Sequence, residues 1–197
     1  MANRNELSRR YALKTSLLLP LVAGLAGVAA AQTPRAGGGR PLVAYFSRTG
    51  NTRVIAGQIS RARNADIFEI VPAKAYPEDY EETVRQAEEE RHSGFRPPLR
   101  NRVENMDDYE MVFLGFPIWG MTAPAVIRSF LSGHDLSGKT LVPFITHGGY
   151  GLGQSLSVVA GHAAGARLVD GFAMQADQEK QTLSEVSGWL GSVPAGR

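Results

Sequence analysis

Apolar and amphipathic segments alternate along the chain from residue 42 to its end. Five apolar runs read as strands, at 42–46 (LVAYF), 65–72, 110–117, 139–149 and 166–174. The third, EMVFLGFP, is apolar almost throughout and is expected at the centre of a sheet. The segments between them repeat apolar positions at helical spacing. Residues 51–63 put Val54, Ile55, Ile59 and Ala62 on one face. Residues 78–93 are strongly charged, with acidic residues in the first turn. Residues 123–133 end at Gly133, 152–165 are weakened by glycines, and 178–190 put Leu183, Val186 and Leu190 on one side. Strand and helix in strict alternation predict an α/β fold, a five-stranded parallel sheet with helices on both faces. Sheets of this kind take ligands beyond the carboxyl ends of their strands, where the strand order reverses. The residues just after strands one, three and four are therefore the candidates for chemistry.

The N-terminal residues follow another pattern. Arg9 and Arg10 precede an uncharged run, 17–31, which ends in Ala29-Ala30-Ala31. This is the order of a signal peptide: charged region, apolar region, small-residue cleavage site. As a helix the run spans about 22 Å, short of the roughly 30 Å hydrocarbon core, and Pro20, Gly24 and Gly27 weaken it as an anchor. The stretch SRRYALK resembles the bacterial twin-arginine signal S-R-R-x-F-L-K, with Ala12 in place of Phe. The resemblance implies a signal peptide at 1–31 and cleavage after Ala31. It also implies a periplasmic protein with no stable membrane anchor after cleavage. Residues 32–40 read as a flexible linker and 41–197 as one domain. The formal charge of +2 divides accordingly. Residues 1–31 hold four cations against one acid, which leaves a net −1 for the rest, so the basic pI near 9.0 does not point to nucleic acid. With no cysteine, disulfides, thiolate metal sites and thiol nucleophiles are excluded.

After strand one, Ser47-Arg48-Thr49-Gly50-Asn51-Thr52 leads straight into a helix. Hydroxyls and free helix N–H groups together suit a phosphate group. The lysine of G-x-x-x-x-G-K is absent, so a bound monophosphate fits better than triphosphate hydrolysis. Ordinary helix capping by Ser and Thr explains the same residues, and both readings stand. After strand three, Gly115-Phe116-Pro117-Ile118-Trp119-Gly120 offers a tryptophan to stack on a flat ring or to cover the core. Gly120, lacking a Cβ, lets the Trp119–Gly120 peptide turn over at small cost. After strand four, Thr146-His147-Gly148-Gly149-Tyr150-Gly151 lets backbone lie close against a ligand. It misses the G-x-G-x-x-G fingerprint, because Gln154 stands where the third glycine belongs, and no G-x-S-x-G elbow accompanies it.

The phrases YFSRTGNT, FLGFPIW and THGG, in that order, together with DIFEIVPAKAYPEDY and DLSGKTLVPFITHGG, resemble the flavodoxin family over residues 41–192. The resemblance implies a flavodoxin-like three-layer sandwich with strand order 2-1-3-4-5 and FMN as cofactor. It implies that Ser47, Thr49, Asn51 and Thr52, with the backbone of Arg48 and Gly50, hold the FMN phosphate. Pro117, Ile118, Trp119 and Gly120 would flank the ring. Thr146, His147, Gly148, Gly149 and Tyr150 would run along its other edge. Gly120 replaces a second aromatic residue common in the family, and Tyr150 replaces a smaller one.

No metal-ligand spacing links His92, His134, His147 and His162, and only His147 lies in a ligand loop. Asp107-Asp108 reads as a turn, the acidic helix as solvated surface, and Trp189 as packing. The function expected is an FMN-binding electron-transfer protein exported to the periplasm, exchanging electrons with a transient protein partner or a small-molecule acceptor. The alternative is an FMN-dependent NAD(P)H reductase of quinones or similar acceptors.

Overall fold

The computed structural model describes residues 39–175 and 179–194, apart from the side chains of 179–184. The expected signal peptide, the linker through residue 38, Gln178 and the Leu183 side chain lie outside the described residues. The chain divides into two units, Met1–Pro34 and Arg35–Arg197, and the fold below belongs to the second.

Its elements are β1 (Leu42–Tyr45), α1 (Asn51–Arg63), β2 (Asp66–Glu69), α2 (Tyr80–Ser93), a 3-10 turn (Met106–Asp108) and β3 (Met111–Pro117). Then follow α3 (Ala125–Gly133), β4 (Thr140–His147), α4 (Ser155–His162), β5 (Arg167–Leu168), β6 (Phe172–Gln175) and α5 (Glu179–Ser192). All pairings in the sheet are parallel, in the order β2-β1-β3-β4, with both β5 and β6 on the outer edge of β4. The order 2-1-3-4-5 expected from sequence is thus present, with its fifth position shared by two short strands.

Successive side chains of a strand point to opposite faces. Leu42, Ala44, Val112, Leu114, Phe116, Leu141 and Ile145 meet Val126, Ile127, Phe130 and Leu131 of α3 and Val159 of α4. Val43, Tyr45, Met111, Phe113, Val142 and Phe144 meet Ile55, Ala56 and Ile59 of α1 and Val186 and Leu190 of α5. These are two apolar layers, one on each face, and the central β3 is sealed between them. Full burial of a side chain such as Phe113 or Phe144 contributes about 1.5–3 kcal/mol. Phe144 gains its place because Gly115 on β3 has no side chain; a Cβ there would run into the Phe144 ring. Trp189 stacks on Phe172 and meets Phe113 edge-on, as the packing role expected for it requires.

The break in the fifth strand follows from Pro143. Leu141 pairs with Leu168 and Phe144 with Phe172, so the outer strand holds one more residue over this span than β4 does. Leu141 accepts from Val169 N–H, which by alternation turns Pro143 toward the same outer strand. Proline has no N–H to donate there, the ladder opens, and the extra residue bulges out. Gly171 closes the bulge: a Cβ at this position would lie 2.5 Å from the Pro143 carbonyl oxygen.

The charged helix α2 is held by its ends. The Asp79 carboxylate accepts from Glu82 N–H at 2.9 Å, Glu81 and Glu82 lie in the first turn, and Arg91 and His92 lie in the last. Each charge suits the helix dipole, and Gly94 at φ 68 ends the helix. Strand β2 is shorter than expected because it is an edge. Ile70 N–H still donates to the Tyr45 carbonyl, and beyond it Pro72 bridges to Leu99 instead.

Candidate functional site

Three loops leave the carboxyl ends of β1, β3 and β4 side by side, at the point where the chain steps to either side of β1. They enclose a cavity of ≈ 360 Å³. Its lining includes Ser47, Arg48, Thr49, Asn51 and Thr52 from the first loop, Pro117, Ile118, Trp119 and Gly120 from the second, and Thr146, His147 and Gly148 from the third. Three of the residues expected at the site stand apart from the lining. Gly149 and Tyr150 lie farther along the third loop, and Tyr150 is 82% exposed. Gly50 acts through its backbone, at φ 102, where the chain turns into α1.

The first loop is a hydroxyl cluster with helix amides behind it. Ser47 Oγ accepts from Gly50 N–H at 3.1 Å, a bond that closes the loop ahead of α1, whose N-cap position is Gly50 with no side-chain cap bond. The Thr52 and Thr146 hydroxyls lie 2.9 Å apart and are 1% and 4% exposed. One hydroxyl donates to the other, and the bond ties the end of β4 to the first turn of α1. Arg48 donates to the Glu78 carbonyl at 3.0 Å, which fastens this loop to the segment before α2. At the far side, His147 Nδ1 accepts from Gly149 N–H at 3.1 Å and leaves Nε2–H as the ring's remaining donor.

Trp119 covers the core and also borders the cavity. It lines the cavity and packs edge-on against Tyr76 and Phe46, at 4.8 and 5.3 Å between ring centres. Tyr76 is held in turn, its hydroxyl donating to Glu90 Oε2 at 2.8 Å. Burial, and next the bond to Glu90, push the Tyr76 pKa far above its ordinary value, so the hydroxyl stays protonated. Beyond Trp119 the chain makes a tight turn. Trp119 and Thr122 exchange N–H···O bonds of 3.0 and 3.2 Å, with Gly120 at φ 55 and Met121 at φ 63. Two positive φ values define a type I′ turn, which strains a residue such as methionine by about 1–3 kcal/mol.

This geometry corrects the expectation for the Trp119–Gly120 peptide. Its carbonyl is bound to Thr122 N–H and is not free to turn. The next peptide, Gly120–Met121, is the central one of the turn. Its rotation converts I′ to II′, keeps both Trp119–Thr122 bonds, and moves Met121 out of positive φ.

The sequence reading missed one wall entirely. Tyr80, Thr83, Val84, Ala87, Glu88 and Arg91 of α2 line the cavity. Their spacing marks one helical face, and the small or uncharged Thr83, Val84 and Ala87 within a glutamate-rich segment were the available signal. Thr83 and Ala87 are the shielded part of this face, while Tyr80, Val84 and Glu88 border the cavity and stay exposed.

The sequence profile of the flavodoxin family, described as flavodoxin, matches residues 40–192. A candidate flavoprotein from Bacteroides eggerthii is 34% identical, with a TM-score of 0.67 over 78% of this chain and 97% of its own. One from Bacteroides uniformis is 29% identical, with a TM-score of 0.68 over 78% of this chain and 99% of its own. A Lactobacillus acidophilus flavoprotein solved in complex with FMN shares the fold at 19% identity, with a TM-score of 0.61 over 74% of this chain and 98% of its own. No curated protein matches the chain. The profile match spans most of the chain, and together with the sheet order it leads to one conclusion: this protein belongs to the flavodoxin family.

Proposed function

We propose that the protein binds FMN and transfers electrons outside the cytoplasm. The observation that carries the reading is the polarity of the cavity. Buried, paired hydroxyls and a helix N-terminus line it together with a tryptophan packed edge-on against Phe46 and Tyr76. A phosphate fits the first and a flat ring the second. The Lactobacillus acidophilus relative, whose structure is a complex with FMN, supports the cofactor.

Bound FMN supplies the redox chemistry, and the protein supplies its binding, orientation and surroundings. Ser47, Thr49, Asn51 and Thr52 would hold the phosphate without a lysine. Trp119, fixed by Tyr76 and Phe46, would present a rigid face to the ring. His147 Nε2–H and the backbone of Gly148 would meet the ring's polar edge. The wall from Tyr80 to Ala87 narrows access by water on the α2 side.

Export rests on the resemblance of Ser8–Lys14 to a twin-arginine signal and on the charge split at residue 31. The carrier reading rests on size. The described domain is built on one sheet with the cavity of ≈ 360 Å³ at its strand ends, and the sequence carries no G-x-G-x-x-G nicotinamide motif beside it. Steady-state assay of the FMN-loaded protein with NADH or NADPH and a quinone separates the two readings. A carrier leaves nicotinamide oxidation at the rate of free FMN, whereas saturable turnover of about 1 s⁻¹ or more establishes the reductase.

A further inference from the structure

Glu90 is the charged residue that stability explains least. Its side chain is 5% exposed, and among the described residues no cation pairs with it. It also stands near the C-terminal end of α2, where the helix dipole disfavours an anion. Two neutral donors hold it: the Tyr76 hydroxyl at 2.8 Å on Oε2 and Gln86 Nε2 at 2.8 Å on Oε1. The Tyr76 ring meets Trp119 edge-on at 4.8 Å, and Phe46 flanks both rings, at 5.7 and 5.3 Å. Trp119 borders the cavity and is partly exposed. Indole, phenol and carboxylate thus form an unbroken line from the cavity into the protein.

Such a line has a chemical use. In a chain without cysteine, indole and phenol are the side chains that give up a single electron most readily. A phenol that loses an electron becomes a strong acid and sheds its proton. A carboxylate already bonded to the O–H takes that proton with no movement of heavy atoms. Taking it removes a charge from a buried position, which desolvation favours. Burial, and next the Glu90 bond, raise the Tyr76 pKa, so the proton leaves only together with an electron.

We propose that Tyr76 and Glu90 form a repair relay for Trp119: when a one-electron radical oxidant takes an electron from the indole, Tyr76 replaces it and passes its O–H proton to Glu90. The indole radical cation gains one electron and is restored. Tyr76 becomes a neutral phenoxyl radical and Glu90 a neutral carboxylic acid. A small one-electron reductant of the ascorbate class then returns an electron to Tyr76, and Glu90 returns the proton. The relay goes beyond the FMN reading and does not need it, because the oxidant is a radical from solution that reaches the partly exposed indole. Trp189 is the contrast within the same chain. Its ring neighbours are Phe113 and Phe172, which give up an electron far less readily than a phenol does.

Pulse radiolysis of the full-length protein in azide solution tests the relay, since the azide radical takes one electron from indole. The tryptophan radical is expected to decay into a tyrosyl radical at a rate independent of protein concentration. Trp119→Phe and Tyr76→Phe each abolish this conversion, and Tyr76→Phe keeps the ring against Trp119 while losing only the O–H. Glu90→Gln leaves Tyr76 an acceptor oxygen, yet slows the conversion about a hundredfold, because an amide does not take the proton. A packing role alone does not move this rate. Should a variant not fold, the wild-type protein in deuterium oxide reads the same step, which slows when proton and electron move together. Flavin content is measured by absorbance, and a flavin-free sample, which defeats the FMN reading, still decides the relay. A tyrosyl radical that persists in Tyr76→Phe, a rate unchanged in Glu90→Gln, or equal wild-type rates in light and heavy water overturns it.

Discussion

The double substitution Thr49→Ala, Thr52→Ala weakens FMN by about two to four orders of magnitude and leaves riboflavin nearly unaffected. Each hydrogen bond to a charged group is worth roughly 1.5–3 kcal/mol, so two contribute about 3–6 kcal/mol. At about 1.4 kcal/mol per factor of ten, that is the stated loss. The two positions act differently. Thr49 is exposed on the loop and offers its hydroxyl directly. Thr52 is buried and hydrogen-bonded to the Thr146 hydroxyl, so its removal also leaves that hydroxyl without its partner. Thr146→Val should therefore reproduce part of the Thr52→Ala loss, and the two should add to less than their sum, because they break one shared bond. Fluorescence titration of the flavin-free protein with FMN and with riboflavin measures this. Equal losses for the two ligands would move the phosphate out of this loop.

The second large effect concerns export. Replacing Arg9 and Arg10 with lysine should leave the full-length precursor in the cytoplasm, folded and loaded with flavin. The substitution keeps both charges, so a route that reads charge alone is unaffected, while one that reads the arginine pair is blocked. A flavoprotein gains from a route that carries folded proteins, since FMN is made inside the cell. Cell fractionation, with flavin measured in each fraction, reads the result. Unchanged export of the double variant would refute the twin-arginine assignment.

The alternation of strand and helix was legible because both periods are strong here. Residues such as Val112–Phe116 are apolar on both faces, and α3 carries its apolar residues on one side. The three ligand loops were legible for the same reason, since strand ends locate them and their composition changes abruptly there. What escaped was set by tertiary contacts. Pro143 sits mid-strand, and the bulge opposite it depends on which neighbour its missing N–H faces, which no period reveals. The α2 wall escaped because its charges dominate the segment, although only one face of the helix meets the cavity. The type I′ turn at Gly120–Met121 escaped because methionine is a poor residue for it; the turn is imposed by Trp119, Thr122 and the bond from Gln154 N–H to the Met121 carbonyl.

The most direct test of the account is the flavin itself. Protein purified after expression with its own N-terminal segment is heated, the precipitate is removed, and the released flavin is identified and quantified against the chain. The prediction is a yellow protein that yields one FMN per chain. A colourless protein that takes up no FMN from excess, or one that releases FAD instead, would contradict it.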